Sequence, residues 1–101
     1  MIMLEKVKNL FNGLEAVDLS QYKLEVYGWG DMWVFSIEKS KDTAPLKIMI
    51  KSVDNEYSLC WYDKNTDLTA SEYYDLASQL ARIKAKKVED DLNNILNYLA
   101  E

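Results

Sequence analysis

Asp63-Lys64-Asn65-Thr66-Asp67 is the stretch of this 101-residue chain that comes nearest to a chemical signature. Its D-x-N-x-D spacing matches the first half of a calcium loop, in which alternate side chains turn oxygens toward one cation. The second half is missing. The sixth position, where a sharp turn demands Gly, is Leu68, and the twelfth, where a bidentate Glu belongs, is Tyr74. The run reads more simply as a strand-to-helix turn in which Asp and Asn bond their own backbone, so no metal and no other cofactor is expected. Cys60 is the single thiol, and the chain has no histidine to serve as its base. Its neighbours Leu59 and Trp61 bring no positive charge that would favour a thiolate, and a packing role suits it better. Carboxylates cluster at Asp54/Glu56, Asp63/Asp67, Glu72/Asp75 and Glu89/Asp90/Asp91, but acid–base hydrolysis needs two carboxylates facing each other at a set distance. There is no P-loop, C-x-x-C, H-E-x-x-H or G-x-S-x-G. With no catalytic residue to assign, the expectation is a protein that is not an enzyme.

Gly28-Trp29-Gly30 is a signal of another kind. It follows a strand pattern and leads into a second one, so no helix N-terminus waits for a phosphate and a nucleotide fingerprint is ruled out. Turn geometry accounts for the glycines. A tryptophan at a hairpin tip either folds back on the core or meets a partner, and Trp is the side chain most enriched at binding hot spots. Asp31 completes that connection.

The elements that would position these residues follow from periodicity. Met3, Leu4, Val7, Leu10, Phe11 and Leu14 mark one face of a short helix, ended by Asn12-Gly13. Within the link Glu15–Gln21, Val17 and Leu19 are expected under the sheet. Four period-two runs then read as strands: Tyr22–Tyr27, Met32–Lys39, Leu46–Ser52 and Glu56–Tyr62. Their short connections predict an antiparallel meander. Thr69-Ala70-Ser71-Glu72 is a capping box opening a long helix from Thr69 to Glu101. In it Tyr74, Ala77, Ala81, Ala85, Val88, Leu92, Ile95 and Leu99 form an apolar stripe, broadened by Tyr73, Leu76 and Leu80, which is expected to lie on the sheet. The fold class is therefore α+β: one domain over residues 1–101, a short N-terminal helix, a four-stranded meander and a long C-terminal helix, both helices on one face.

The sheet's other face would then present Tyr27, Met32, Val34, Met49, Cys60 and Tyr62 among Lys23, Glu25, Glu38, Lys47 and Lys51, an apolar patch with a charged rim of the kind that marks interfaces. The expected partner-binding residues are Trp29, Asp31, Tyr27, Val34, Met49 and Tyr62. Lys and Arg number 12 against 17 Asp and Glu, a net charge of −5, and no third of the chain is basic. That argues against direct nucleic-acid binding, which needs cations to displace counterions, and suits a partner with a basic surface. No stretch has transmembrane length or the form of a signal peptide, so a cytoplasmic protein acting away from membranes is expected. The resulting expectation is a small acidic module that docks on a larger protein, in the manner of an inhibitor or immunity factor of phage or mobile-element type. Two alternatives stand beside it. One is a structural or chaperone-like homodimer. The repeats Tyr74/Ala81/Val88/Ile95 and Ala85/Leu92/Leu99 read as d and a positions, with Leu92, Ile95, Leu96 and Leu99 as the seam. The other is a small-molecule site lined by Trp33, Trp61 and Tyr73.

Overall fold

Alternation of apolar and polar residues builds an antiparallel sheet whose strand order is the order of the chain. The structure is a computed structural model describing residues 2–38 and 44–100. The expected strand end at Lys39, most of the Ser40–Pro45 connection and Glu101 lie outside the described residues. Helix α1 spans Met3–Glu15. A single 3-10 turn at Leu19–Gln21 leads into β1 (Lys23–Trp29), β2 (Met32–Glu38), β3 (Leu46–Val53), β4 (Glu56–Trp61) and β5 (Lys64–Leu68), and α2 runs from Ala70 to Ala100. The fold is α+β with both helices on one face, as the patterning implies.

Among the described residues the sheet has five strands, not four. Asp63–Asp67 is not a strand-to-helix turn. Tyr62 and Asp63 make a two-residue reversal, and the rest of the run pairs along β4 from Trp61↔Lys64 to Tyr57↔Leu68. An unpaired edge offers a row of backbone donors and acceptors, and a polar run that can reach it adopts the extended state despite poor strand propensity. The β3–β4 reversal places Asp54 (φ 51°) and Asn55 (φ 64°) at the two positive-φ positions of a two-residue hairpin, where Asp and Asn are tolerated. The β1–β2 reversal puts Gly30 at φ 46°. Gly28 is different: it needs no positive φ. A Cβ there would lie 2.4 Å from the indole of Trp33, its cross-strand partner, so Gly28 is small to admit a ring and not to make a turn.

The inward row joins Leu24, Val26, Phe35, Ile37, Leu46, Ile48, Ile50 and Leu59 to Val7, Phe11 and Leu14 of α1 and to Tyr73, Leu76, Leu80 and Ile83 of α2 in one cluster. Phe11 meets Phe35 edge-on at 5.1 Å. Leu19 is fully buried as expected, but Val17 is exposed at 41%. The capping box forms in both directions. Glu72 N–H donates to Thr69 Oγ1 at 3.1 Å, and Glu72 Oε1 accepts from Thr69 N–H at 2.8 Å.

Helix α2 does not lie on the sheet by the expected stripe. The buried positions are Tyr73, Leu76, Gln79, Leu80 and Ile83, whereas Ala81 and Ala85 are exposed and Tyr74 is 58% accessible. Both stripes have helical period. The one with larger side chains removes more apolar area from water and faces inward. Farther on, polar groups replace packing. Lys86 Nζ donates to the Val17 carbonyl and to Asp90. Lys87 Nζ donates to the Tyr22 carbonyl at 2.8 Å and, at 3.3 Å, to that of Leu19, and the Asp90 carboxylate accepts from Leu19 N–H at 2.8 Å. This clamp is the last hold of the domain on α2. From Leu92 to Ala100 every residue is exposed, and the molecule is 51 Å long but only 28 by 23 Å across.

Candidate functional site

Strand parity turns every second residue to the open face of the sheet, and register aligns those residues in rows. One row runs Tyr27↔Val34↔Met49↔Cys60↔Asn65 across all five strands. The next runs Trp29↔Met32↔Lys51↔Ser58↔Asp67. On the other side of the first row lie Glu25, Ser36 and Lys47, and beyond them Lys23 pairs with Glu38 at 3.4 Å. Tyr27, Trp29, Met32, Val34, Met49 and Cys60 thus form one apolar band over four strands, with an acid–base rim. Trp29 is 54% and Tyr27 49% exposed. Val34, Met49, Met32 and Cys60 are half-buried by their cross-strand neighbours, and no described helix covers them.

Trp29 is held outward by its strand position. The indole of Trp33 occupies the space beside Gly28 on the inner face, so the hairpin carries one tryptophan on each side of the sheet. The tip is tied down because the Asp31 carbonyl accepts from Ser52 N–H of β3 at 2.8 Å. Tyr27 is fixed by donating its hydroxyl to Glu25 at 2.6 Å, and that bond to a carboxylate raises the phenol's pKa. Cys60 donates its thiol to the Asn65 side-chain carbonyl, a packing and pairing role along β4–β5.

Of the residues expected to bind a partner, Tyr27, Trp29, Val34 and Met49 are contiguous, and Asp31 sits beside them at the tip. Tyr62 does not belong with them. It stands in the β4–β5 reversal at the far end of the sheet, 75% exposed, with φ 58° and its ring stacked on Trp61 at 5.8 Å. A strand pattern carried through to Tyr62 puts it on the open face, but the reversal resets its direction. Met32 completes the band although parity had marked it only as a face residue.

Trp33, Trp61 and Tyr73, expected to line a small-molecule site, are all part of the core packing. Tyr73 is 3% exposed within the core, its phenol pKa raised by burial, and Trp33 and Trp61 pack on the same cluster. Trp61 instead borders a wide cleft of about 520 Å³ with Met3, Lys6, Tyr62, Asp63 and Lys64. Among the described residues no group of three His, Cys, Asp or Glu side chains is placed to hold a metal ion, and Asp63, Asn65 and Asp67 are spread along a turn and a strand. The alternative seam residues Leu92, Ile95, Leu96 and Leu99 are 53–72% exposed on the projecting end of α2. No described helix is long and apolar enough to cross a membrane. Comparisons with protein-family models, with curated proteins and with solved structures return no match.

Proposed function

We propose that this protein is a non-catalytic module that docks on a larger protein through the open face of its sheet. The observation that carries this reading is the uncovered apolar band from Trp29 to Cys60, with an exposed tryptophan at its edge. A sheet face that only meets water is normally polar, and a contiguous apolar patch with a charged rim is the anatomy of a binding surface. Trp29 is the anchor, since it stands on a tied hairpin and is more than half accessible. The rim is mixed, with Asp31, Glu25 and Asp67 beside Lys47 and Lys51, and it is the net charge of −5 that favours a partner whose surface is basic. An inhibitor that covers such a surface is the mode of action this fits.

The carboxylates support the non-catalytic part. Those with displaced pKa values, Glu15, Asp18, Glu72 and Asp90, are all lowered by hydrogen bonds that build the fold. A general acid working near neutral pH needs the opposite displacement.

The test compares immobilised wild type with Trp29→Ala and Met49→Asp, each first shown by circular dichroism to be folded, and with Leu92→Glu as a control on α2. One protein retained from source-cell lysate by wild type and by the control, and lost from both face variants, is the expected result. Retention by both face variants refutes the reading.

A further inference from the structure

Helix α2 carries two apolar stripes, and only one is used by its own domain. At 100° per residue, Tyr73, Leu76, Leu80 and Ile83 point to the sheet, and the stripe through Ala81, Ala85, Val88, Leu92, Ile95 and Leu99 lies a third of a turn, about 120°, away. From Val88, within the clamp at Lys86–Asp90, to the end of the helix the second stripe widens. Val88, Leu92, Ile95, Leu96, Tyr98 and Leu99 are each 53–76% exposed. No residue from Leu92 to Ala100 is charged, so nothing in that segment opposes close approach of another helix.

We infer that the occupant is a second copy of this chain, and that two α2 ends pack antiparallel. The seam alternates at steps of four and three, which is the heptad spacing of a two-helix contact. With Leu at a and Val or Ile at d, parallel packing favours assemblies of more than two helices. It would also set Glu89, which flanks the seam, at one level in both copies, whereas Asp90 and Asp91 are engaged by Lys86 and Lys87. Antiparallel packing pairs a with d, so Leu92 meets Ile95 of the second copy and Val88 meets its Leu99. Each Glu89 then lies level with the uncharged Tyr98 of the second copy, and the two helix dipoles oppose. The domains stay apart because the seam lies on the projecting end. Covering five aliphatic side chains and one tyrosine on each copy removes on the order of 500 Å² per chain. The total of about 1,000 Å² is the lower bound for a specific interface. This association is independent of docking by the sheet, which it leaves open.

Sedimentation over about 1–100 µM, the range suited to an interface of this size, reads it directly. Wild type is expected to approach twice the 11.8 kDa chain mass and to dissociate on dilution. The Leu92→Glu/Ile95→Glu variant, altered only at exposed positions, is expected to stay monomeric with an unchanged melting temperature. A wild type that remains at 11.8 kDa throughout overturns the inference and leaves the stripe to a foreign helix. So does a double variant that still dimerises. Direction is read in a Cys60→Ser background. Val88→Cys chains mixed with Leu99→Cys chains are expected to oxidise to the mixed disulfide, whereas a Val88→Cys disulfide with itself overturns the antiparallel arrangement.

Discussion

Gly28→Ala is expected to destabilise the protein although it adds one methyl group and removes a flexible residue from a strand. The new Cβ would stand 2.4–2.5 Å from three ring carbons of Trp33. Carbon atoms rest at about 3.5–4.0 Å, so the overlap is more than 1 Å. The methyl is fixed by the backbone of β1, and the indole is held by its packing on the core, so neither side yields cheaply. Overpacking of this kind costs about 1–3 kcal/mol, offset by at most the 0.5–1 kcal/mol that Ala gains over Gly in a strand. In a domain of this size the net cost, up to about 2.5 kcal/mol, lowers the melting temperature by up to about 10–20 °C. The assay is guanidinium denaturation, with a lowered midpoint at constant slope. A double-mutant cycle identifies the cause. In a Trp33→Leu background the same Gly28→Ala change is expected to be neutral or to stabilise by up to about 1 kcal/mol, a coupling of roughly 2 kcal/mol. If Gly28→Ala costs the same with and without the Trp33 ring, the steric account is wrong and Gly28 serves the backbone instead.

Tyr62 holds φ 58°, which costs a bulky residue about 1–2 kcal/mol, against about 0.5–1.5 kcal/mol from its stacking on Trp61. Tyr62→Gly is therefore expected to stay within about 1 kcal/mol of wild type in denaturant titration, while Tyr62→Val, which keeps the strain and loses the ring, falls clearly below it. Thr69→Ala removes the hydroxyl half of the capping box and is expected to cost about 1 kcal/mol, with Thr69→Ser retaining most of it. Lys86, then the Leu19 N–H, hold the Asp90 carboxyl below the ordinary range, and Arg82, then Gln79, do the same for Glu15. A depressed carboxylate adds stability that is complete above its unfolded pKa and lost as pH falls through the folded value. Stability is thus expected to be level near neutral pH and to decline below about pH 4. Asp90→Asn is expected to make that acid decline shallower, and an unchanged decline would show the clamp to be electrostatically idle.

Much of the architecture is legible because one physical signal dominates it. In β1 to β4 every second residue is apolar, so parity alone assigns Leu24, Phe35, Ile48 and Leu59 to the core and Tyr27, Val34 and Met49 to the open face. Thr69 and Glu72 announce the start of α2 locally, and they bond as announced. What was not legible depends on neighbours distant in sequence. The residues of β5 favour turns, and they become a strand only because β4 offers an edge. On α2 two stripes share the same period, and the choice between them rests on side-chain bulk: Leu76, Leu80 and Ile83 against Ala81 and Ala85. Tyr62 leaves the open face because the reversal begins one residue earlier than the strand pattern implies, which breaks its parity.

The strand order has a consequence for synthesis. Each strand pairs with the one made just before it, so the sheet assembles as the chain emerges, and α1 is already present to set Phe11 against Phe35. The inner face is finished only by α2, whose bonds to Asn12, Val17 and Leu19 span 67 to 71 residues. Its 31 residues take about 2–6 s to be translated. During those seconds the nascent domain shows water an apolar surface on both sides of one sheet. That interval, and not the finished protein, is when holding chaperones have most to grip.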